Sequence, residues 1–206
     1  MRIVGGRLGG RRFPGPPGDV TRPTSERVRE AVASALVSRG AIEGAIVLDL
    51  FAGTGALAFE AVSRGAASAV VVDDNARVCA ALTESIGHLG LSAEASVLRL
   101  DLLRQPGHAA AIIAKALVKA LPHPATLVFV DPPYAEAPNA MTLLAALIDA
   151  GLVDTGATIV FEHAIKSPPA VPPTLAIGAT YRYGDTGVLL LRPVPRQPVS
   201  ERQEIP

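Results

Sequence analysis

Asp131-Pro132-Pro133-Tyr134 combines an acid, two prolines and an aromatic, and it follows an apolar run that ends at Val130. The two prolines stiffen the backbone on both sides of the Pro132 carbonyl. A carboxylate and a fixed carbonyl can accept hydrogen bonds from a flat, amine-bearing group while the tyrosine ring stacks on it. Upstream stands Asp49-Leu50-Phe51-Ala52-Gly53-Thr54-Gly55, a glycine loop of the kind that holds a nucleotide-like cofactor. Together the two segments suit methyl transfer to a planar nitrogen. The lone pair of such an amine is delocalised into its ring, so alignment with the methyl donor supplies most of the acceleration. Electrostatic help is needed as the amine becomes cationic. The chemistry requires no metal and no covalent intermediate, and His88, His108 and His123 form no ligand spacing.

Glycines at 53 and 55 permit positive φ and close approach of backbone to ligand. The helix expected behind them offers free N–H groups to a carboxylate or phosphate. Asp73 ends the next apolar run, twenty residues after Gly53, where an acid can accept from both ribose hydroxyls. Asp74 competes with it for that role. The same residues, Gly53-x-Gly55-x-x-Ala58 with Asp73, also satisfy the dinucleotide fingerprint. Two acids favour S-adenosylmethionine over NAD. Asp49 would oppose a pyrophosphate but can assist an amino-acid ammonium, and Asp101 falls where an adenine amino group can donate. The plain alternative for Asp101 is a helix N-cap or loop acid. Glu162 and His163 end a later strand on the same sheet edge, and either can line the acceptor pocket. His163 is assigned no role.

The elements that position these residues alternate. Apolar runs predict buried parallel strands at 46–51, 69–72, 97–100, 127–130 and 158–161. Helical spacing predicts helices over 56–64, 75–89 and 109–121, and near 141–150. An earlier helix starts near Pro23-Thr24-Ser25-Glu26, with Thr24 or Ser25 as its cap, and ends at Gly40. Segments 175–183 and 188–192 flank Gly184-Asp185, leaving no room for a helix, so they form an antiparallel hairpin. The expectation is an α/β, Rossmann-like fold with a mostly parallel sheet closed by that hairpin. Residues 1–23 form an N-terminal hairpin or arm, 24–192 the main domain and 193–206 a proline-rich tail that frays.

Composition bounds the rest. The 206 residues are 49% hydrophobic with mean hydropathy +0.35, enough for one domain with a full core. One cysteine, Cys79, excludes an internal disulfide framework. No apolar run is long enough to span a bilayer, and Met1 to Gly6 has no signal-peptide core, so a cytoplasmic location is expected. Net charge is zero, yet Arg2, Arg7, Arg11, Arg12, Arg22, Arg27 and Arg29 crowd the first 29 residues against Asp19 and Glu26. That is either an electrostatic footprint for nucleic acid or a solvated, flexible arm.

The chain resembles the RsmD family, the bacterial 16S ribosomal RNA guanine-N2 methyltransferases. The resemblance runs to about Arg192 and rests on Met1-Arg2-Ile3-Val4-Gly5-Gly6, Arg22-Pro23-Thr24-Ser25-Glu26-Arg27-Val28-Arg29-Glu30, Asp49 to Leu57 and Val130 to Tyr134. It implies a class I, seven-stranded methyltransferase sheet with a small N-terminal β-hairpin that helps to grip RNA. It also implies S-adenosylmethionine as donor and 16S rRNA as partner, within an assembling or assembled small subunit, with one guanine, the family's guanine-966, as acceptor. On this resemblance Gly53 and Gly55 shape the cofactor loop, Asp73 takes the ribose, Asp101 sits by adenine and Asp131 to Tyr134 hold the guanine. Arg22, Arg27 and Arg29 fall in an arginine-bearing segment expected to touch rRNA phosphates. Family members commonly carry Glu at the position of Asp73 with a second acid at that of Asn75, and an aromatic at that of Ala33. Three rival readings remain: a similar ledge acting on adenine-N6 of DNA or a protein glutamine amide, an NAD-dependent oxidoreductase, and an RNA-binding assembly factor without catalysis.

Overall fold

The computed structural model describes residues 1–16, 26–103, 115 and 123–195. Apart from residue 115, the helix expected over 109–121 lies outside the described residues, as do Arg22, Thr24, Ser25 and the tail from 196 onward.

Seven strands form one sheet: β1 (Ile46–Leu50), β2 (Ser68–Asp73), β3 (Ala95–Arg99), β4 (Ala125–Val130), β5 (Val153–Ala164), β6 (Leu175–Tyr183) and β7 (Thr186–Pro193). Their order is β3-β2-β1-β4-β5-β7-β6. The first five run parallel, and β7 inserts antiparallel between β5 and β6. The four described α-helices are α1 (Glu26–Val37), α2 (Ala56–Ser63), α3 (Ala76–Leu89) and α4 (Ala137–Asp149). Both faces of the central strands are covered, so their side chains are apolar in both phases. Val47, Val71, Leu127 and Phe129 join one buried cluster with α1, α2 and α3. Leu48, Leu50, Val70, Val72, Val128 and Val130 join the other with α4.

Two boundaries differ from the sequence reading by four residues or more. Strand β5 begins at Val153 rather than near 158, because Asp154-Thr155-Gly156 extends it as an irregular lead-in. The Asp154 carboxylate accepts from the Gly156 N–H at 2.7 Å, and the register with β4 shifts there. Helix α4 begins at Ala137 with Pro138 in its first turn, where a missing N–H costs nothing.

The N-terminal segment is docked. Antiparallel hydrogen bonds link Ile3 N–H to the Arg11 carbonyl and Phe13 N–H to that of Met1, around a 3-10 turn at Gly6–Leu8. The expected N-terminal hairpin pairs through one isolated bridge, Arg2 with Arg12. Ile3, Leu8 and Phe13 are buried in the main core, and Phe13 meets Phe59 edge-on at 5.4 Å. Each such side chain contributes about 1.5–3 kcal/mol by burial. The Glu60 carboxylate of α2 accepts from the Val4 and Gly5 N–H groups, both at 2.8 Å. Gly6 is required here: its φ is +74°, and a Cβ would stand 2.0 Å from the Ser63 carbonyl oxygen.

Candidate functional site

In the order β3-β2-β1-β4-β5 the chain winds outward from β1 and returns to place β4 on its other side. Such a switch point opens a crevice at the carboxyl ends of the strands. A cavity of about 610 Å³ lies there. The glycine loop enters it from β1, Asp73 from β2, the Asp131–Tyr134 ledge from β4 and Glu162 from β5.

The loop between β1 and α2 is a wound turn. Phe51 has φ +63°, and Gly53 and Gly55 have φ +52° and +71°. Positive φ at a phenylalanine costs on the order of 1–2 kcal/mol, and such strain gathers at functional sites. Phe51 lines the cavity, as do Ala52, Gly53 and Thr54. Gly55 does not line it. A Cβ at Gly55 would lie within 2.6 Å of Leu82 and 2.7 Å of Phe59, so this glycine serves close packing of the loop on α2 and α3.

Asp73 holds the loop in place. Its carboxylate accepts from the Gly53 N–H at 3.0 Å and the Asn75 N–H at 2.9 Å. Burial raises its pKa against those two bonds. Asp74, the competing acid, also borders the cavity but is exposed. Asn75 caps α3 by accepting from Arg77 and Val78. Asp49 is buried at the foot of the loop, with Oδ2 lacking a hydrogen-bond partner. Burial raises its pKa well above the ordinary carboxylate value, the Asp131 charge adds to this, and a backbone bond from Ala58 opposes it.

Asp131, Pro132, Pro133 and Tyr134 all line the opposite wall. The ledge is braced: the Glu136 N–H donates to the Pro133 carbonyl at 2.7 Å, and the Tyr134 hydroxyl meets Thr186 Oγ1 at 3.0 Å. Glu162 is buried and lines the cavity, whereas the His163 ring lies against Gly187 with Nδ1 2.8 Å from the Ala164 carbonyl oxygen.

The structure places two of the expected site residues in surroundings other than the sequence suggests. Asp101 does not line the cavity; Leu100, Leu102 and Leu103 do. Its exposed carboxylate accepts from the Leu103 N–H at 3.1 Å, so it shapes its own loop. Arg29 is not a surface cation. It is 1% exposed, borders the cavity and donates from both Nη atoms to the Arg2 carbonyl at 3.2 Å. Helical spacing turns it inward beside Val32, Ala33 and Leu36.

The other arginines divide. Arg2 pairs with Glu26 at 2.7 Å, and Arg7 pairs with Glu94. Arg11 donates to the Leu89 and His88 carbonyls at 3.2 Å, where the end of α3 favours a cation. Arg12 and Arg27 are exposed. The sequence reading missed Val28, Leu57, Tyr183 and Thr186 as lining residues. Tyr183 and Thr186 flank the Gly184-Asp185 turn, and only the antiparallel return of β7 beside β5 brings them to this crevice.

A family model described as conserved hypothetical protein 95 matches residues 1–192. YlbH of Bacillus subtilis (strain 168) is 31% identical over 195 residues, covering 93% of this chain and 98% of that protein. Ribosomal RNA small subunit methyltransferase D of Escherichia coli (strain K12) is 35% identical over 138 residues, 65% of this chain and 60% of that protein. Among solved structures, the methyltransferase yhhF from Escherichia coli superposes with a TM-score of 0.74 at 29% identity, covering 94% of this chain and 97% of that one. The chain belongs to the conserved hypothetical protein 95 family, the RsmD family that its motifs resemble.

Proposed function

We propose that the protein transfers a methyl group from S-adenosylmethionine to the exocyclic N2 amine of one guanine in 16S rRNA, at the family's guanine-966 site. The observation that carries this reading is the meeting of the glycine loop and the Asp-Pro-Pro-Tyr ledge across one cavity at the switch point. The charge of that cavity supports the choice of cofactor. Asp73, Asp74, Asp131 and Glu162 line it against Arg29, beside Asp49, which burial holds toward its neutral form. An acid-rich wall suits a ligand with a sulfonium and an ammonium, and opposes the pyrophosphate of a dinucleotide. Membership of the family, and the name of the Escherichia coli relative, support ribosomal RNA as the substrate.

Bound S-adenosylmethionine supplies an electrophilic methyl group whose bond pair stays with sulfur on transfer. The chain positions what surrounds it. The Gly53 turn admits the cofactor's amino-acid portion against the backbone, and the Asp73 carboxylate, seated on Gly53 and Asn75, faces the ribose. The Asp131 carboxylate and the Pro132 carbonyl accept from the two amine hydrogens and turn the nitrogen lone pair toward the methyl group. Tyr134 stacks on the base. As the nitrogen becomes cationic, Asp131 stabilises the charge, and the surplus proton leaves by that carboxylate to solvent. Arg12, Arg22 and Arg27 contact rRNA phosphates.

The test is incubation with labelled S-adenosylmethionine and small ribosomal subunits from cells lacking this activity, followed by digestion of the rRNA to nucleosides. Labelled N2-methylguanosine at one site is expected. N6-methyladenine, or label in protein, overturns the acceptor assignment.

A further inference from the structure

The chain has three tyrosines and no tryptophan. Two of them line the cavity, and the third stacks on one of those. Tyr134 lines it from the ledge and Tyr183 from the end of β6. Tyr181 lies two residues earlier on the same face of β6, its ring stacked with that of Tyr183 at 6.4 Å between centroids and 15° between planes. Thr186 ties the group together: it is the cross-strand partner of Tyr183 and meets the Tyr134 hydroxyl at 3.0 Å. Among the described residues, strand β6 is the edge strand of the sheet. Both β6 rings rest partly buried against the core, which limits their freedom.

We infer that Tyr183 and Tyr181 form a stacking platform for unpaired nucleotides flanking the acceptor base, continuous with the ledge that holds the base itself. This rests on the RNA reading of the site. Aromatic rings on a strand accept splayed bases whatever their sequence, because every base has a π-face. A base held in a duplex has no free face to offer. The RNA therefore enters as a locally single-stranded loop or junction, with the target base against Tyr134 and its neighbours running out along Tyr183 and Tyr181.

The experiment compares wild type, Tyr181→Leu and Tyr181→Phe in methyl transfer to small ribosomal subunits. Binding of a labelled single-stranded oligoribonucleotide and of its duplex is followed by anisotropy. Tyrosine emission, unobscured by tryptophan, reports stacking directly. Tyr181→Leu should raise the KM for subunits and the Kd for the single strand by about tenfold, the scale of one lost base stack. The loss should fall on KM rather than kcat, with calorimetric affinity for S-adenosylmethionine unchanged. Tyr181→Phe should restore both values, and the single strand, not the duplex, should quench tyrosine emission. Unchanged KM and Kd in Tyr181→Leu, or equal binding of duplex, overturn the platform while wild-type transfer to guanine stands. Absence of wild-type transfer to rRNA overturns the functional reading beneath it.

Discussion

Asp49, within β1, and Asp131, just after the neighbouring β4, border one cavity, yet their surroundings ask different things of them. Asp131 is half-buried at the mouth, where a carboxylate can meet an incoming amine. Replacing Asp131 with Ala should lower kcat/KM by about a hundredfold or more, the scale of losing one preorganised electrostatic group. Cofactor affinity should stay within about tenfold, or ~1.4 kcal/mol. Single-turnover transfer beside calorimetry reads both quantities, and full activity in the variant refutes the ledge mechanism. Asp49 is sealed beneath the loop, and burial raises its pKa well above 3.8. The folded protein therefore keeps that proton at pH values where the unfolded chain has released it. Stability from this group is full below the unfolded value and declines as pH rises toward the folded one. Asp49→Asn keeps the shape and removes the ionisation. The cofactor-free variant should melt above wild type at pH 8, with the difference closing toward pH 4. A difference that widens on acidification contradicts the assignment.

At the scale of elements, two side chains of α2, Glu60 and Ser63, hold the backbone of the N-terminal hairpin. The Glu60 carboxylate takes the Val4 and Gly5 N–H groups and the Arg64 guanidinium, all at 2.8 Å. Glu60→Ala leaves those backbone donors without their acceptor, at about 1–3 kcal/mol each. A loss of roughly 3 kcal/mol in urea unfolding is expected, with faster amide exchange at Ile3 than at Val71 in the sheet. An unchanged midpoint would show that the hairpin is held by its apolar packing and its other hydrogen bonds, such as those of Ser63, rather than by Glu60. This contact also marks what the sequence conceals. The buried strands were legible because two covered faces leave an apolar run, uninterrupted from Leu127 to Val130 and broken only by Asp49 from Ile46 to Leu50. The ledge and the glycine loop were legible because their residue types carry local backbone geometry. Glu60 was not, because an acid within Ala56–Ser63 reads as a solvent-facing residue until the hairpin is laid over it. Arg29 misled for the same reason: its charge suggested phosphate, while its position on α1 turned it inward. Tyr183 and Thr186 needed the order β5-β7-β6, which no local pattern encodes.

For the whole molecule, zero net charge leaves RNA affinity to local cations, and the structure changes how many can act. Seven arginines precede residue 30. Arg29 is buried, Arg11 closes the end of α3, and Arg2 and Arg7 are paired with Glu26 and Glu94. Arg12, Arg22 and Arg27 are then the cations assigned to phosphates. Each single-strand phosphate neutralised contributes about −0.7 to the slope of log affinity against log salt, so three give about −2 and all seven about −5. Titrating an unpaired oligoribonucleotide across a series of KCl concentrations distinguishes the two. A slope near −2, reduced by about 0.7 in Arg27→Gln and unmoved in Arg11→Gln, is the expected result. Exposed ion pairs are worth little, about 0–1 kcal/mol, so exchanging glutamate for phosphate is the one route by which Arg2 and Arg7 could steepen it. A slope near −5 would mean that the hairpin gives up its internal partners when RNA binds. Electrostatics would then outweigh stacking in holding the substrate, and the tyrosine platform would set its register rather than its affinity.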